Sequence, residues 1–263
     1  MKPTRRRFLQ GAATALAQTL WAVGGSRAWS AEPRRILLGQ VLPAAGAGRE
    51  AAARGALLAA GEAAQTAELL GIRLELQTGD AAALIDRGAL ALIGGLDAPG
   101  RVALSDLAEA RRVPLLTTRA PGDSGEDEPL RPHVFHVASG PRDRRAALAR
   151  WKGGEAAEIA DWHPSLTRFG AEQLNQRYRE RFGAPMEPLA WTSWMAVKAA
   201  AEAALRGAAT PADMVRRLET LGFDGHKGVR LRFRPEDHGL QQPLYVVAGD
   251  RVLAEISPED EEE

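Results

Sequence analysis

The sequence predicts an α/β fold in which a parallel sheet is flanked by helices. From Arg34 onward, short runs typical of strands alternate with longer runs typical of helices, which is the pattern of parallel strands joined by crossover helices. Glycine and proline stand where helical runs end, as at Gly71 and at residues 183–185. With 45% apolar residues, the chain can also bury a proper hydrophobic core.

Apolar runs of strand length define the sheet in the first half of the chain. The predicted strands are residues 36–42, 72–77, 89–93, 113–117 and 134–137. The predicted helices are residues 49–70, 81–88, 103–112 and 142–151. Residues 120–132 are rich in proline, glycine and acidic side chains, so we predict a loop there.

The second half is predicted to be mainly helical. Leu174, Tyr178 and Phe182 recur at intervals of four residues, as on one face of a helix. Thr210 before Pro211 supplies an N-cap and a first-turn proline for a later helix. The predicted helices are residues 164–182, 191–205 and 211–221, and the predicted strands are residues 229–234 and 244–247. Alternating arginines in the first of these strands indicate one solvent-exposed face.

The first thirty residues have the three parts of a signal peptide: a basic start, an apolar middle and a small-residue exit. In the basic start, Arg5, Arg6, Phe8 and Leu9 follow the twin-arginine consensus. A receptor reads this motif during the export of folded proteins. We therefore predict that the protein reaches the periplasm by the twin-arginine route.

Cleavage of this segment is the expected outcome. The apolar run at residues 11–25 is shorter than the about 20 residues that a transmembrane helix needs. Two sites fit the small-residue rule, one after Ala28 and one after Ser30. Residues 1–30 are therefore assigned to the signal peptide, with a retained anchor as the alternative.

Charge and composition exclude several classes of protein. The chain has 34 basic and 34 acidic residues, and removal of the basic signal peptide leaves a mildly acidic protein. We therefore expect no nucleic-acid partner, because no basic stripe remains to neutralise phosphates. The chain has no cysteine, which excludes disulfides, thiolate metal ligands and a cysteine nucleophile. Residues 251–263 are predicted to form an acidic, solvated tail.

Several stretches resemble the type I periplasmic solute-binding proteins of ABC importers, in particular the branched-chain amino acid and amide group. The matching stretches are Arg54–Ala60, Leu92–Gly95, Val113–Leu116, Tyr178–Gly183, Trp194–Val197, Phe223–Gly225 and Gly228–Phe233. Asp161–Pro164 and Arg119–Asp123 are more similar to a subgroup associated with quinoprotein alcohol dehydrogenase systems. The resemblance implies a non-enzymatic protein without a cofactor that binds a small solute and works with an ABC permease or a periplasmic dehydrogenase.

One departure from this family changes the expected architecture. Members of the family have two lobes that close on the ligand about a hinge, but here the helix predicted at 142–151 is followed almost directly by Asp161. We therefore predict essentially one lobe, formed by residues 34–151 and 160–250, with a linker at 152–159 where most of the second lobe is missing. A single lobe offers half a site and predicts weak solute binding.

The loss of a lobe would also expose part of an apolar surface. Trp191 and Trp194 lie three residues apart on one predicted helix and are expected to pack in the core or between lobes. Without the second lobe, part of this face would lose its cover. An uncovered apolar face would favour a homodimer or contact with another periplasmic protein.

The candidate ligand-binding region comprises Gly95, Asp97, Thr118 and Arg119. These residues follow two predicted parallel strands, and ligands of open sheets bind at the carboxyl ends of such strands. The family's usual serine pair is absent after Asp97, and Pro121 replaces a threonine, so two donors for a solute carboxylate are missing. The alternative is that the four residues only form turns.

Other motifs are weaker. Residues 46–51 fit Gly-x-Gly-x-x-Ala, which leaves an exported nucleotide-cofactor oxidoreductase as an alternative function, although Gly46 stands too far from the predicted strand for the tight turn of such loops. The five histidines are scattered and predict no metal site, and no catalytic residues are assigned.

Overall fold

The computed structural model describes residues 33–94, 98–119, 130–153 and 156–258. The described residues from Arg34 onward form one compact unit. The predicted signal peptide, with its twin-arginine motif, lies outside the described residues, as does most of the loop predicted at 120–132.

Eleven strands and seven helices are formed by the described residues. The strands are β1 Arg34–Val41, β2 Ile72–Thr78, β3 Ala91–Gly94, β4 Leu115–Thr117, β5 Val134–His136, β6 Glu158–Ala160, β7 Phe223–Asp224, β8 Arg230–Phe233, β9 Leu240–Gln241, β10 Leu244–Ala248 and β11 Arg251–Ile256. The helices are α1 Ala47–Leu69, α2 Ala81–Asp86, α3 Ala98–Arg111, α4 Pro141–Arg150, α5 Ala171–Phe182, α6 Pro188–Leu205 and α7 Pro211–Thr220.

A five-stranded parallel sheet in the order β2-β1-β3-β4-β5 is the centre of the fold. Its inner strands are buried on both faces, because successive side chains of a strand point to opposite sides. Ile36 and Leu38 belong to the larger apolar cluster, which includes residues of α1 and α6. Leu37 belongs to a second cluster, which includes residues of α2 and α3. The predicted parallel sheet flanked by helices is therefore confirmed.

Two small antiparallel sheets complete the described fold. One has the order β11-β10-β6 and packs against α4; we call it the small sheet. The other has the order β7-β8-β9 and adjoins the edge of the parallel sheet, where the His136 amide donates to the His238 carbonyl at 2.9 Å. Within the described residues, no second parallel sheet is present. We call the parallel sheet with α1, α2, α3 and α6 the body.

Three sequence predictions are corrected. The linker predicted at 152–159 includes two residues of β6, and the acidic tail predicted at 251–263 includes all of β11. Both strands form because each pairs with β10. β6 is distant from β10 in sequence, whereas β11 follows β10 through a two-residue turn. The helix predicted at 164–182 begins only at Ala171, since Phe169 and Gly170 adopt the left-handed conformation that a helix does not continue through.

The two tryptophans of α6 are covered in the folded chain. Trp191 is 0% exposed and stacks on Trp162 with ring centroids 5.6 Å apart. Trp194 is 1% exposed and donates to the Glu62 carboxylate at 3.0 Å. The packing prediction is confirmed for both. The prediction of an uncovered face here is wrong, because residues of the same chain supply the cover that was assigned to a missing lobe.

Close contact between α1 and α6 depends on Gly55. A Cβ atom added there would overlap the backbone carbonyl of Ala190 on α6. The glycine therefore sets the distance between the two helices that cover one face of the sheet. At Gly61, on the same helix, an added Cβ would instead meet the flexible end of Arg181 at 3.1 Å.

We predict that Gly55→Ala lowers the free energy of unfolding by about 2 kcal/mol, because the added methyl group forces the two helices apart. The measurement is equilibrium denaturation with urea. Gly61→Ala is the control, and it should raise stability by about 0.5–1 kcal/mol through reduced freedom of the unfolded chain. Equal effects of the two substitutions would contradict the role of Gly55.

Candidate functional site

The carboxyl ends of the parallel strands meet at one edge of the body, and two of the predicted site residues lie there. Thr118 and Arg119 directly follow β4, next to Gly94 at the end of β3. Gly95 and Asp97 are outside the described residues. We call this region the carboxyl edge.

Thr118 is a structural part of this edge. It is 2% exposed. Its backbone N–H and its hydroxyl both donate to the Gly94 carbonyl, at 2.8 and 3.2 Å. Its own carbonyl accepts a hydrogen bond from the Thr192 hydroxyl at 2.8 Å. Thr118 therefore joins β4 to β3 and to α6, and its hydroxyl is engaged within the fold.

Arg119 is exposed and lies over the start of α1. A Cβ atom added at Gly48 would be 2.9 Å from the Arg119 guanidinium and 3.2 Å from Leu189, at the start of α6. The α1 helix begins after Gly46, which has φ 104° and forms no side-chain cap. Its first-turn N–H groups are therefore left without a side-chain acceptor. A guanidinium beside an uncapped helix N-terminus favours an anionic group, and a carboxylate fits that chemistry.

The loop before α1 differs from a dinucleotide-binding turn. β1 ends at Val41 and α1 begins at Ala47, so Gly46 is separated from the strand by a stretch that includes Pro43. In dinucleotide-binding folds the first glycine makes the tight turn directly after the strand. The separation of Gly46 from the end of the strand, which the sequence predicts, is therefore present in the structure.

A buried polar cluster, which the sequence did not single out, lies beside β5. Lys227 is 1% exposed, and its ammonium group finds three acceptors. It donates to the Asp161 carbonyl at 2.5 Å, to Gln242 Oε1 at 2.6 Å and to the Pro243 carbonyl at 2.9 Å. A lysine ammonium has three protons, so its hydrogen-bonding capacity is fully used.

The Asp161 carboxylate is the second centre of this cluster. It is 2% exposed. Oδ1 accepts the Ser139 N–H at 2.8 Å and the Gln242 amide at 3.2 Å, and Oδ2 accepts the Arg144 guanidinium at 2.7 Å. Arg144 also donates to the Ser139 carbonyl at 3.1 Å. We call Ser139, Arg144, Asp161, Lys227 and Gln242 the junction.

Burial dominates the electrostatics of the junction. Burial lowers the pKa of Lys227 to about 7, against the opposing attraction of Asp161 and Glu255. The rings of Trp191 and Tyr245 lie 4.1 and 5.1 Å from the ammonium nitrogen. Burial likewise raises the pKa of Tyr245 above its usual value. The Lys227 amine is therefore held in surroundings from which water is excluded, and its charged form is less favoured than in an exposed lysine.

A surface groove of about 210 Å³ is bordered by α4, β10 and the end of β11. Its charged groups pair with one another. Arg234 bonds Asp143 and Asp237, both at 2.8 Å, and Arg150 donates to the Ser257 carbonyl at 2.6 Å. Ligand pockets usually measure about 300–1,000 Å³. This groove is therefore smaller than an ordinary ligand pocket.

The described residues contain neither a metal-binding cluster nor a membrane-spanning helix. In the ranges given above, no three His, Asp or Glu side chains lie close enough together to hold a metal ion. No helix in this part of the chain is long and apolar enough to cross a membrane. His133 pairs with Glu109 at 2.8 Å and His136 contacts the Thr117 hydroxyl at 3.1 Å, so these two histidines have separate partners.

Comparison with known proteins gives matches of two kinds. Residues 158–251 match a family model described as periplasmic binding protein. The sequence matches none of the curated proteins with which it was compared.

Solved structures resemble the whole described chain. An ABC transporter substrate-binding protein from Sphaerobacter thermophilus has a TM-score of 0.69 at 13% identity, over 86% of this chain and 98% of that chain. A leucine binding protein from Thermotoga maritima has a TM-score of 0.64 at 15% identity, over 85% and 99%. A branched-chain amino acid transporter substrate binding protein from Streptococcus pneumoniae, in complex with isoleucine, has a TM-score of 0.66 at 14% identity, over 84% and 99%.

These likenesses show that the fold is that of a type I periplasmic binding protein. Because the structural matches extend over nearly the full length of the solved chains, the loss of a lobe relative to the family stays a prediction. The subgroup associated with quinoprotein dehydrogenases also stays a prediction.

The pKa of Lys227 predicts a pH dependence of stability. An exposed lysine has a pKa of about 10.4, so between pH 7 and 10 the unfolded chain binds more protons than the folded protein. The contribution of Lys227 to the free energy of unfolding should therefore rise with pH, by up to about 1.4 kcal/mol per unit. Equilibrium denaturation of the wild type and of Lys227→Met from pH 7.5 to about 9.5 measures this contribution. Parallel pH profiles would show that the ammonium does not titrate there.

Proposed function

We propose that this protein is an exported, non-enzymatic component that binds a small solute for an ABC importer. The observation that carries the proposal is the carboxyl edge, where Arg119 lies beside the uncapped start of α1 at the end of a parallel sheet. Folds of this class bind ligands at that edge. An ABC permease is the corresponding partner, and the periplasm is the corresponding compartment.

The chemistry of the edge favours a solute with a carboxylate. Arg119 supplies a full positive charge, and the start of α1 supplies N–H donors. Two of the similar structures are named for leucine or branched-chain amino acids, which supports an amino acid, an amide or a related small acid or alcohol. The small sheet has three strands, so we propose that the site is covered on one side only and binds weakly.

A second candidate is an accessory module of a periplasmic quinoprotein dehydrogenase system that has lost solute capture. The internal engagement of the Thr118 hydroxyl favours it, because a donor that could face a solute is used for structure. The remaining alternative, an exported nucleotide-cofactor oxidoreductase, gains no support from the loop before α1.

Solute binding is tested by calorimetry of the mature protein with amino acids, amides, short acids and short alcohols. We expect a carboxylate-bearing solute to bind with a Kd weaker than about 1 μM, since an open site buries only part of a ligand. Arg119→Met should weaken binding about tenfold, because it removes a charge-assisted hydrogen bond.

Arg112→Met is the matched control for this experiment. Arg112 is also exposed but precedes β4, so it lies at the opposite edge of the sheet. A submicromolar Kd would contradict the one-sided site. No binding by any solute of the panel would favour the accessory module.

Export by the twin-arginine route is tested separately. The double variant Arg5→Lys, Arg6→Lys should remain in the cytoplasm, because the receptor requires the arginine pair. Cell fractionation and immunoblotting measure the distribution. Arg7→Lys, which leaves the pair intact, should still be exported. Export of the double variant would overturn the prediction.

A further inference from the structure

The chain passes between the body and the small sheet three times. It leaves the body after β5 and enters α4, and it returns after β6 towards α5 and α6. It reaches the small sheet again from β9, in the β7-β8-β9 sheet at the edge of the body, and then forms β10 and β11. The three connecting segments are residues 137–140, 161–163 and 242–243, which we call the crossovers.

Every crossover contributes to the junction. The first supplies the Ser139 N–H and the Val137 carbonyl, which bind the Asp161 carboxylate at 2.8 Å and the Gln242 amide at 2.9 Å. The second crossover supplies Asp161, and the third supplies Gln242. One amide and one carboxylate therefore connect all three segments directly.

Lys227 adds a connection from outside the crossovers. It lies in the turn between β7 and β8, and its ammonium bonds the second and third crossovers at once. Arg144 adds another from α4, with donors to the first crossover, to Asp161 and to the Ile159 carbonyl of β6 at 2.5 Å. The β7–β8 turn and α4 thus each supply a basic side chain that is held by the crossovers.

We propose that Lys227 and Asp161 lock the three crossovers into a rigid junction, so that the body and the small sheet move as one unit. Bending between the two parts would separate buried polar and charged groups from their hydrogen-bond partners in a site without water, and such separation is costly. If the proposed function is correct, the solute then binds without hinge closure. The lock itself does not rest on that function, since its test requires no solute.

Hydrogen–deuterium exchange of the mature protein tests the lock. In the wild type, the amides of β10 should be protected to the same degree as those of β1, as expected for one cooperative unit. In Lys227→Met, β10 should exchange about a hundredfold faster than β1, through local opening at the crossovers. Lys198→Met is the control, because Lys198 is a partly exposed lysine of α6 that pairs with Glu202. This substitution should leave the ratio of the β10 and β1 exchange rates unchanged.

A distance measurement provides a second readout. The chain has no cysteine, so spin labels can be placed at Glu68→Cys on α1 and at Ala149→Cys on α4, both exposed positions. The distance distribution should be narrow in the wild-type background and broader with Lys227→Met. If Lys227→Met does not fold, Arg144→Met replaces it, since the Arg144 side chain is 34% exposed and its loss is milder.

The outcomes separate a lock from an ordinary core residue. Selective loss of protection in β10, with a broadened distance distribution, supports the proposal. Equal loss of protection in β1 and β10, or an unchanged distance distribution, overturns it. Failure of every solute to bind would contradict the proposed function but would leave this test intact.

Discussion

A buried ammonium group must find acceptors within the protein, and that requirement organises the middle of this fold. Lys227 has three oxygen acceptors, two of which belong to the backbone at Asp161 and Pro243. Backbone acceptors can be supplied only if the crossovers approach each other closely. The Asp161 carboxylate then needs donors of its own, and Ser139, Gln242 and Arg144 provide them. The need to give Lys227 and Asp161 hydrogen-bond partners therefore fixes the paths of the three crossovers.

The parallel sheet imposes a second constraint. Strands buried on both faces need an apolar layer on each side, and α1 with α6 provides one of these layers. The close approach of the two helices at Gly55 brings the start of α6 next to the start of α1. The Arg119 guanidinium and Leu189 then both lie close to Gly48. The geometry of the carboxyl edge is thus a result of how the helices pack on the sheet.

If both proposals are correct, the protein is rigid and its site is open. The proposed site has a cation and a helix N-terminus on the body, and the junction connects the body to the small sheet. In binding proteins that close about a hinge, ligand affinity is gained when a second lobe covers the solute. A protein with a fixed small sheet would not gain affinity in this way. Preorganisation of the site would be the remaining source of affinity.

The sequence alone determined the body. Periodicity, helix-ending glycines and the Thr210 cap depend on neighbours a few residues apart, so β1 to β5, α1 and α7 were predicted with bounds shifted by a few residues; the Thr210 capping box is present. Tertiary structure decided the rest. β6 exists because it pairs with the distant β10, and Lys227, Asp161 and Gln242 form a site only when segments 15 to 81 residues apart are brought together. Contacts between such distant segments leave no periodic pattern in the sequence, because their free energy comes from the completed fold rather than from local conformation.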